Sequence, residues 1–288
     1  MLGITVREAA SLYLRSRCKR GELSTESERG YRARLDSFMV GVGADRSCDR
    51  LQRRHVEGWL EGLGGMAPTS RRSYFATARL FCRWLRDQGY VDRDLFAGLR
   101  PPREPRMVPR NLAPDDIAAV LAVCDERQRV VVVLMLQLGL RRGEVARLRV
   151  EDVDHVNRVV RIRGKGDHER VLPVPEQAAS ELRRWLGAQR ITSGHVIRSR
   201  VRPDMGVRPA TIGDMLTAAM YAAGVKACGW DRVSGHSLRH SAAADMLRHG
   251  AHVRDVQQVL GHSSIATTER YLPLVVQTLE ATVGGRAY

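Results

Sequence analysis

The chain has 288 residues, 43% of them apolar and 27% charged, a globular balance that excludes a disordered or fibrous protein and leaves room for one large or two medium domains. Its formal charge is +15, from 47 basic and 32 acidic residues, which favours a polyanion such as DNA, RNA or an anionic membrane surface as partner. Five cysteines, widely spaced and without a CxxC pair, suggest neither a disulfide framework nor a four-cysteine zinc site and point to a reducing, cytoplasmic setting.

The start, MLGITVREAASLYLRS, carries no basic segment followed by a continuous apolar run, so it reads as no secretory leader. Instead Val6 to Tyr13 places apolar residues at helical spacing. Tyr31, Leu35, Phe38 and Met39 form a second apolar face, preceded by Ser24 and Thr25 as capping candidates. His55 to Leu63 reads as a third helix stopped by Gly64 and Gly65. Thr69 to Gln88 is the longest, with Tyr74, Ala78, Phe81 and Leu85 on one face and Gly89 at its end. A bundle of about four helices buries these faces simply. Between Leu99 and Pro114 the sequence holds five prolines, interspersed arginines and no apolar periodicity, the marks of an extended linker. Residues 1–110 carry 22 basic and 13 acidic side chains and residues 111–288 carry 25 and 19, so both sides of the linker are basic.

The second module begins with Pro114 at a first helical position, followed by Asp115 and Asp116 near the positive helix end. Val130 to Leu138 is apolar all round and predicts a buried helix closed by Gly139. Its apolar run is too short to span a bilayer. Arg142 to Leu148 reads as a short helix. VVRIR, a Gly164-Lys165-Gly166-Asp167 turn and RVLPV then form a β-hairpin, with a third strand expected over Leu148 to Val153. Helices follow at Glu176 to Gln189, Thr211 to Ala223, Ser237 to His249, Val253 to Leu260 and Ser264 to Tyr271. The fold class is therefore mainly α, formally α+β: a helical bundle, then a mixed helical domain with a small antiparallel sheet.

Four local patterns carry candidate chemistry. In LGLRRGE, Arg141 follows the apolar helix and Glu144 is near enough to hold it; a surface cap with a local ion pair is the alternative. Lys165, one of three lysines, sits at the glycine-flanked hairpin tip, where it can reach a substrate and protonate an alkoxide leaving group. In HSLRH, His236 and Arg239 share a helix face suited to gripping a phosphate. His236 and His240 have the spacing of a zinc pair, but the HExxH glutamate is missing and Arg239 would repel a metal. In LGHSS, Gly261 permits a sharp corner that leaves His262 at a helix start, with Tyr271 nine residues later. Together these side chains predict a phosphodiester site that needs neither metal nor cofactor.

In order and spacing, LGLRRGE, RGKGDHERVLPV, HSLRHSAAADMLRHG and VLGHSSIATTERYLPL resemble the motif series of the tyrosine recombinases. They are similar to those of the bacterial chromosome-dimer-resolving recombinases of the Xer type and of mobile-element integrases. More weakly, SYFATARLFCRWLRDQG resembles the last helix of that family's core-binding domain. The resemblance implies residues 1–99 as a SAM-like core-binding domain, 100–110 as linker and 111–288 as the catalytic domain. It implies Arg141, Lys165, His236, Arg239 and His262 as catalytic, Tyr271 as nucleophile, and Glu144 and His240 as supporting residues. The partners implied are double-stranded recombination sites and further copies of the chain, up to a tetramer on DNA, with a partner recombinase left open and no membrane. Two departures from the family pattern, Asp94-Leu95-Phe96 before the linker and Ala113 at a helix cap, fall outside these residues. A catalytically silent DNA-binding protein and a strand-passing enzyme resembling type IB topoisomerases are the alternatives.

Overall fold

A computed structural model describes residues 3–23, 25–103, 111–164, 169–227 and 233–261. The chain divides into two compact units, Met1–Arg106 and Met107–Tyr288. In the first unit, α1 (Val6–Lys19), α2 (Thr25–Val42), α3 (Arg53–Gly62) and α4 (Pro68–Asp87) enclose one core. Helix α1 starts where a capping box allows: the Thr5 N–H donates to the Glu8 carboxylate at 2.9 Å and the Glu8 N–H to Thr5 Oγ1 at 3.3 Å. The inner face of α4 runs through Phe75, Ala78, Phe81, Cys82 and Leu85. Phe75, rather than the expected Tyr74, is the fully buried ring at its start, and Tyr74 packs at the margin.

In the second unit, α5 (Pro114–Val123) has Pro114 at its start, and α6 (Glu126–Gln137) is capped by Asp125, whose side chain accepts from the Gln128 N–H at 2.7 Å. Val130 through Met135 are all buried, because α8 (Glu176–Ala188), α9 (Pro209–Ala222) and α10 (Gly235–Arg248) all pack on α6. After α6 come α7 (Arg142–Arg147) and an antiparallel sheet in the order β1 (Val153–Asp154), β2 (Val159–Arg163), β3 (Glu169–Pro173). The hairpin register pairs Ile162 with Arg170 and Val160 with Leu172. The third strand is shorter than the sequence suggests. Val150–Asp152 is a tight 3-10 turn, closed where the Asp152 carboxylate accepts the Arg149 N–H at 3.1 Å, and only Val153 and Asp154 pair with β2. A small apolar cluster of Ala243, Leu247, Val256 and Leu260 joins α10 to α11 (Val253–Leu260). The expected helix Ser264 to Tyr271 and most of the hairpin tip lie outside the described residues. No described helix is long and apolar enough to cross a membrane.

Candidate active site

The site grows from the end of α6. The helix stops at Gln137, and Gly139 turns the chain with φ +60°, a left-handed conformation that costs glycine little. A Cβ on Gly139 would also lie 2.6 Å from Leu260 Cδ2, so α11 can approach only because none is there. The chain then re-enters a helix at Arg141, the residue that precedes α7. Glu144, three residues on, accepts the Arg141 backbone N–H at 2.8 Å and Arg141 Nη1 at 2.9 Å.

Glu144 is the hub. Its side chain is 1% exposed, and a carboxylate this buried needs partners to stay charged. Arg170 of β3 supplies a two-pronged bond, Nη1 to Oε1 and Nη2 to Oε2, each 2.9 Å. Arg239 of α10, itself buried, has Nη1 3.9 Å from the same carboxylate. Burial, the largest single influence on Glu144, would raise its pKa. Bonds from Arg170 and the Arg141 backbone, with the charges of both arginines, outweigh it and hold the carboxyl below its ordinary value.

Arg141 and Arg239 also bond backbone oxygens: Arg141 Nη2 donates to Gly261 O at 2.9 Å, and Arg239 donates to Gly139 O and Leu260 O. Arg239 is placed by α10, which is capped by Ser234, whose hydroxyl accepts the His236 N–H at 3.3 Å. Leu112 N–H donates to Ser241 Oγ of the same helix at 2.7 Å, tying the entry of the second unit to α10. His236 lies in the first turn of α10 and reaches solvent. Surrounding protein first, then the charges of Arg142, Arg239 and Arg141, lower its pKa and favour the neutral ring. His240 is half-buried one residue beyond Arg239.

The structure thus brings Arg141, Glu144 and Arg239 together, with His236 beside them; Lys165, His262 and Tyr271 lie outside the described residues. Sequence reasoning missed Arg170. The signal was present in β3, whose alternation turns Leu172 inward and leaves Val171 61% exposed. Arg170 shares the inward face, and a charge there demands a buried acid. Among the described residues, no group of three or more His, Cys, Asp and Glu side chains is placed to hold a metal ion.

Comparison with known proteins extends this picture. A family model described as the phage integrase family matches residues 110–277. The chain is 30% identical over 279 residues to tyrosine recombinase XerC of Shewanella amazonensis, covering 92% of this chain and 90% of that protein. It is 32% identical over 287 residues to XerC of Mycobacterium leprae, covering 93% of each. Among solved structures, XerA recombinase superposes with a TM-score of 0.55 at 25% identity, over 98% of this chain and 100% of that one. A lambda integrase tetramer bound to a Holliday junction has a TM-score of 0.76 at 17% identity, over 94% of this chain and 78% of that one, which is a likeness of fold.

Proposed function

The chain belongs to the phage integrase family, and as a tyrosine recombinase it acts on DNA through a phosphotyrosyl intermediate; on that premise we propose how its residues divide the reaction. The Tyr271 oxygen attacks the scissile phosphorus as the bond to the 5′-oxygen breaks, leaving a 3′-phosphotyrosyl link and a 5′-hydroxyl. The link conserves the phosphodiester energy, so rejoining needs no nucleotide cofactor. Arg141 and Arg239 grip the non-bridging oxygens. Lys165 protonates the departing 5′-oxygen, His236 assists removal of the tyrosine proton, and His262 donates to the phosphate.

The observation that carries this reading is the convergence of Arg141 and Arg239 on one buried Glu144. A guanidinium fork aimed by a buried acid is a preorganised oxyanion clamp. In the free chain its outer bonds rest on peptide oxygens, which a doubly liganded phosphate replaces with stronger, charge-assisted acceptors. The lowered pKa of His236 favours the neutral ring, the form whose lone pair is open to the tyrosine proton. His240 supports α10 beside Arg239.

We read residues 1–99 as a SAM-like core-binding domain, 100–110 as linker and 111–288 as the catalytic domain. The substrates are double-stranded recombination sites, on which copies of the chain assemble into a tetramer, as in the lambda integrase complex; the setting is the cytoplasm. The test mixes the full chain with sheared genomic DNA of the source organism, traps detergent-resistant adducts and sequences their ends to define the site. Adducts should form without added metal and vanish in Tyr271→Phe. Adducts that persist in Tyr271→Phe overturn the assignment of the nucleophile, and site-independent relaxation of supercoiled plasmid favours a topoisomerase instead.

A further inference from the structure

Three successive carbonyls at the C-terminal end of α11 each accept an arginine: Val259 O from Arg170 Nε at 2.8 Å, Leu260 O from Arg239, and Gly261 O from Arg141 at 2.9 Å. The last carbonyls of a helix lack intrahelical donors and sit at its negative end, so cations there both bond and stabilise. All three arginines also face Glu144. The end of α11 and the buried carboxylate are thus the two sides of a single clamp.

The three arginines are not equivalent within it. Arg141 is 38% exposed along its side chain and keeps an edge toward solvent. Arg170 is 12% exposed, and its fork is committed, with both Nη atoms on Glu144 and Nε on Val259 O. Arg170 is therefore built to hold rather than to bind. Gly261 provides a second, independent observation. Its φ is +60°, and a Cβ on it would lie 3.0 Å from Arg170 Nη1. The turn that ends α11 is left-handed at this glycine, and the Arg170 guanidinium lies beside it.

We infer that Arg170 is a positioning residue of the recombination reaction, fixing the Gly261 turn against Arg141 and Arg239 through Glu144 and Val259. The inference rests on the phosphate-clamp reading above. When a scissile phosphate draws Arg141 and Arg239 off their carbonyls, α11 loses two of its three ties. Arg170 remains, and the turn to which His262 is covalently joined stays in register with the arginines now on the phosphate.

The experiment uses the full chain and a nicked duplex bearing the site recovered by covalent trapping, followed in single-turnover cleavage. Arg170→Met should lower the first-order rate constant of adduct formation by about 10–100-fold, the scale of losing a group that orients a catalytic ligand. Binding of the intact duplex should change by less than about threefold, since Arg170 touches no DNA in this scheme. Arg170→Lys keeps the charge without the fork and should not restore the rate. A merely structural role would lower the fraction of active molecules and leave the rate constant of that fraction unchanged. That result, or full recovery in Arg170→Lys, overturns the inference. Amide hydrogen exchange on the free protein gives a readout independent of cleavage: Arg170→Met should speed exchange through residues 257–261, and unchanged exchange overturns the clamp. Failure of the wild-type chain to form any adduct would instead strike the recombinase reading, leaving hydrogen exchange to judge whether Arg170 holds the turn.

Discussion

The two units fill their interiors with different chemistry. All four phenylalanines of the chain, Phe38, Phe75, Phe81 and Phe96, are buried in the first unit. Edge-on contacts link Phe38 to Trp59 at 4.9 Å and Phe75 to Phe96 at 5.1 Å between ring centroids, a geometry that adds to the burial of large rings. The second unit is aliphatic around α6, with Val130, Val131, Val132, Val133 and Leu134 buried, and into that apolar wall it inserts Glu144 and Arg239. Buried ion pairs seldom improve stability over apolar packing. On the division of the reaction proposed above, the second unit carries one so that a phosphate meets guanidinium groups already aimed, and the rule of burial is broken where that chemistry is expected. The first unit, by contrast, buries one polar side chain among its described residues, the uncharged Thr77, whose hydroxyl donates to Ser73 O at 2.9 Å and accepts Arg34 Nε at 2.8 Å.

The sharpest way to break this comparison is to remove one member from each interior. Arg239→Ala should reduce the rate of phosphotyrosyl formation by about 10²–10³-fold or more, the scale of losing one transition-state donor. Phe81→Ala should cost the first unit about 3–5 kcal/mol of stability while the cleavage rate of the molecules that remain folded changes little. Single-turnover cleavage and a melt followed by Trp fluorescence separate the two. Equal losses of rate in both variants would show that the cores are not specialised as described.

Next in size is Glu144→Gln, which keeps the shape and deletes the charge. Leaving Arg170 and Arg239 without their buried carboxylate should destabilise the second unit by about 3–5 kcal/mol, comparable to the Phe81 cavity. The pH signature distinguishes them. The folded pKa of Glu144 is lowered, so its contribution is fully present above the ordinary carboxylate range and is lost as pH falls through the folded value. Glu144→Gln should therefore flatten the acid limb of the second unit's stability curve, and Phe81→Ala should shift the first unit's curve without changing its slope. Denaturant melts between about pH 3 and pH 7 read both. An unchanged acid slope in Glu144→Gln would mean that the carboxylate is not the charged hub its bonds describe.

Much of this was legible in the sequence because it is local. The helices announce themselves by apolar spacing and by the glycines that stop them, as over Val6 to Tyr13 and at Gly89 and Gly139. Arg141 and Glu144 are three residues apart, and His236 and Arg239 share the first turns of one helix. What was not legible depends on distance along the chain. Arg170 meets Glu144 across 26 residues and Val259 across 89, and no spacing rule encodes either meeting. The strand expected over Leu148 to Val153 has the right composition, yet Asp152 bonds back to the Arg149 N–H and takes most of the segment into a 3-10 turn. A polar side chain competing for its own backbone defeats a reading of composition alone.

The smallest expected effect separates the two causes that lower the pKa of His236. Surrounding protein comes first and the charges of Arg142, Arg239 and Arg141 follow. Arg239 and Arg141 cannot be altered without dismantling the clamp, but Arg142 is exposed and is the largest of the three charges acting on the ring. In Arg142→Ala the His236 pKa should rise toward its ordinary value of 6.5 and stop short of it, because the surrounding protein remains. The linkage has the opposite sense to that of a histidine gaining an acid. With the folded pKa depressed, the unfolded chain binds the proton first as pH drops below 6.5, so stability falls through the window between the two values and rises again with pH. Arg142→Ala narrows that window and should make the second unit less sensitive to mild acid. Proton NMR titration of the His236 ring in the two proteins measures the shift directly, with Arg147→Ala, which removes an exposed charge from the same helix, as the control. A His236 pKa that moves as far in Arg147→Ala as in Arg142→Ala would show a diffuse field of the basic chain acting on the ring, and the buried-charge site would lose its claim to have tuned that histidine through a neighbour of its own.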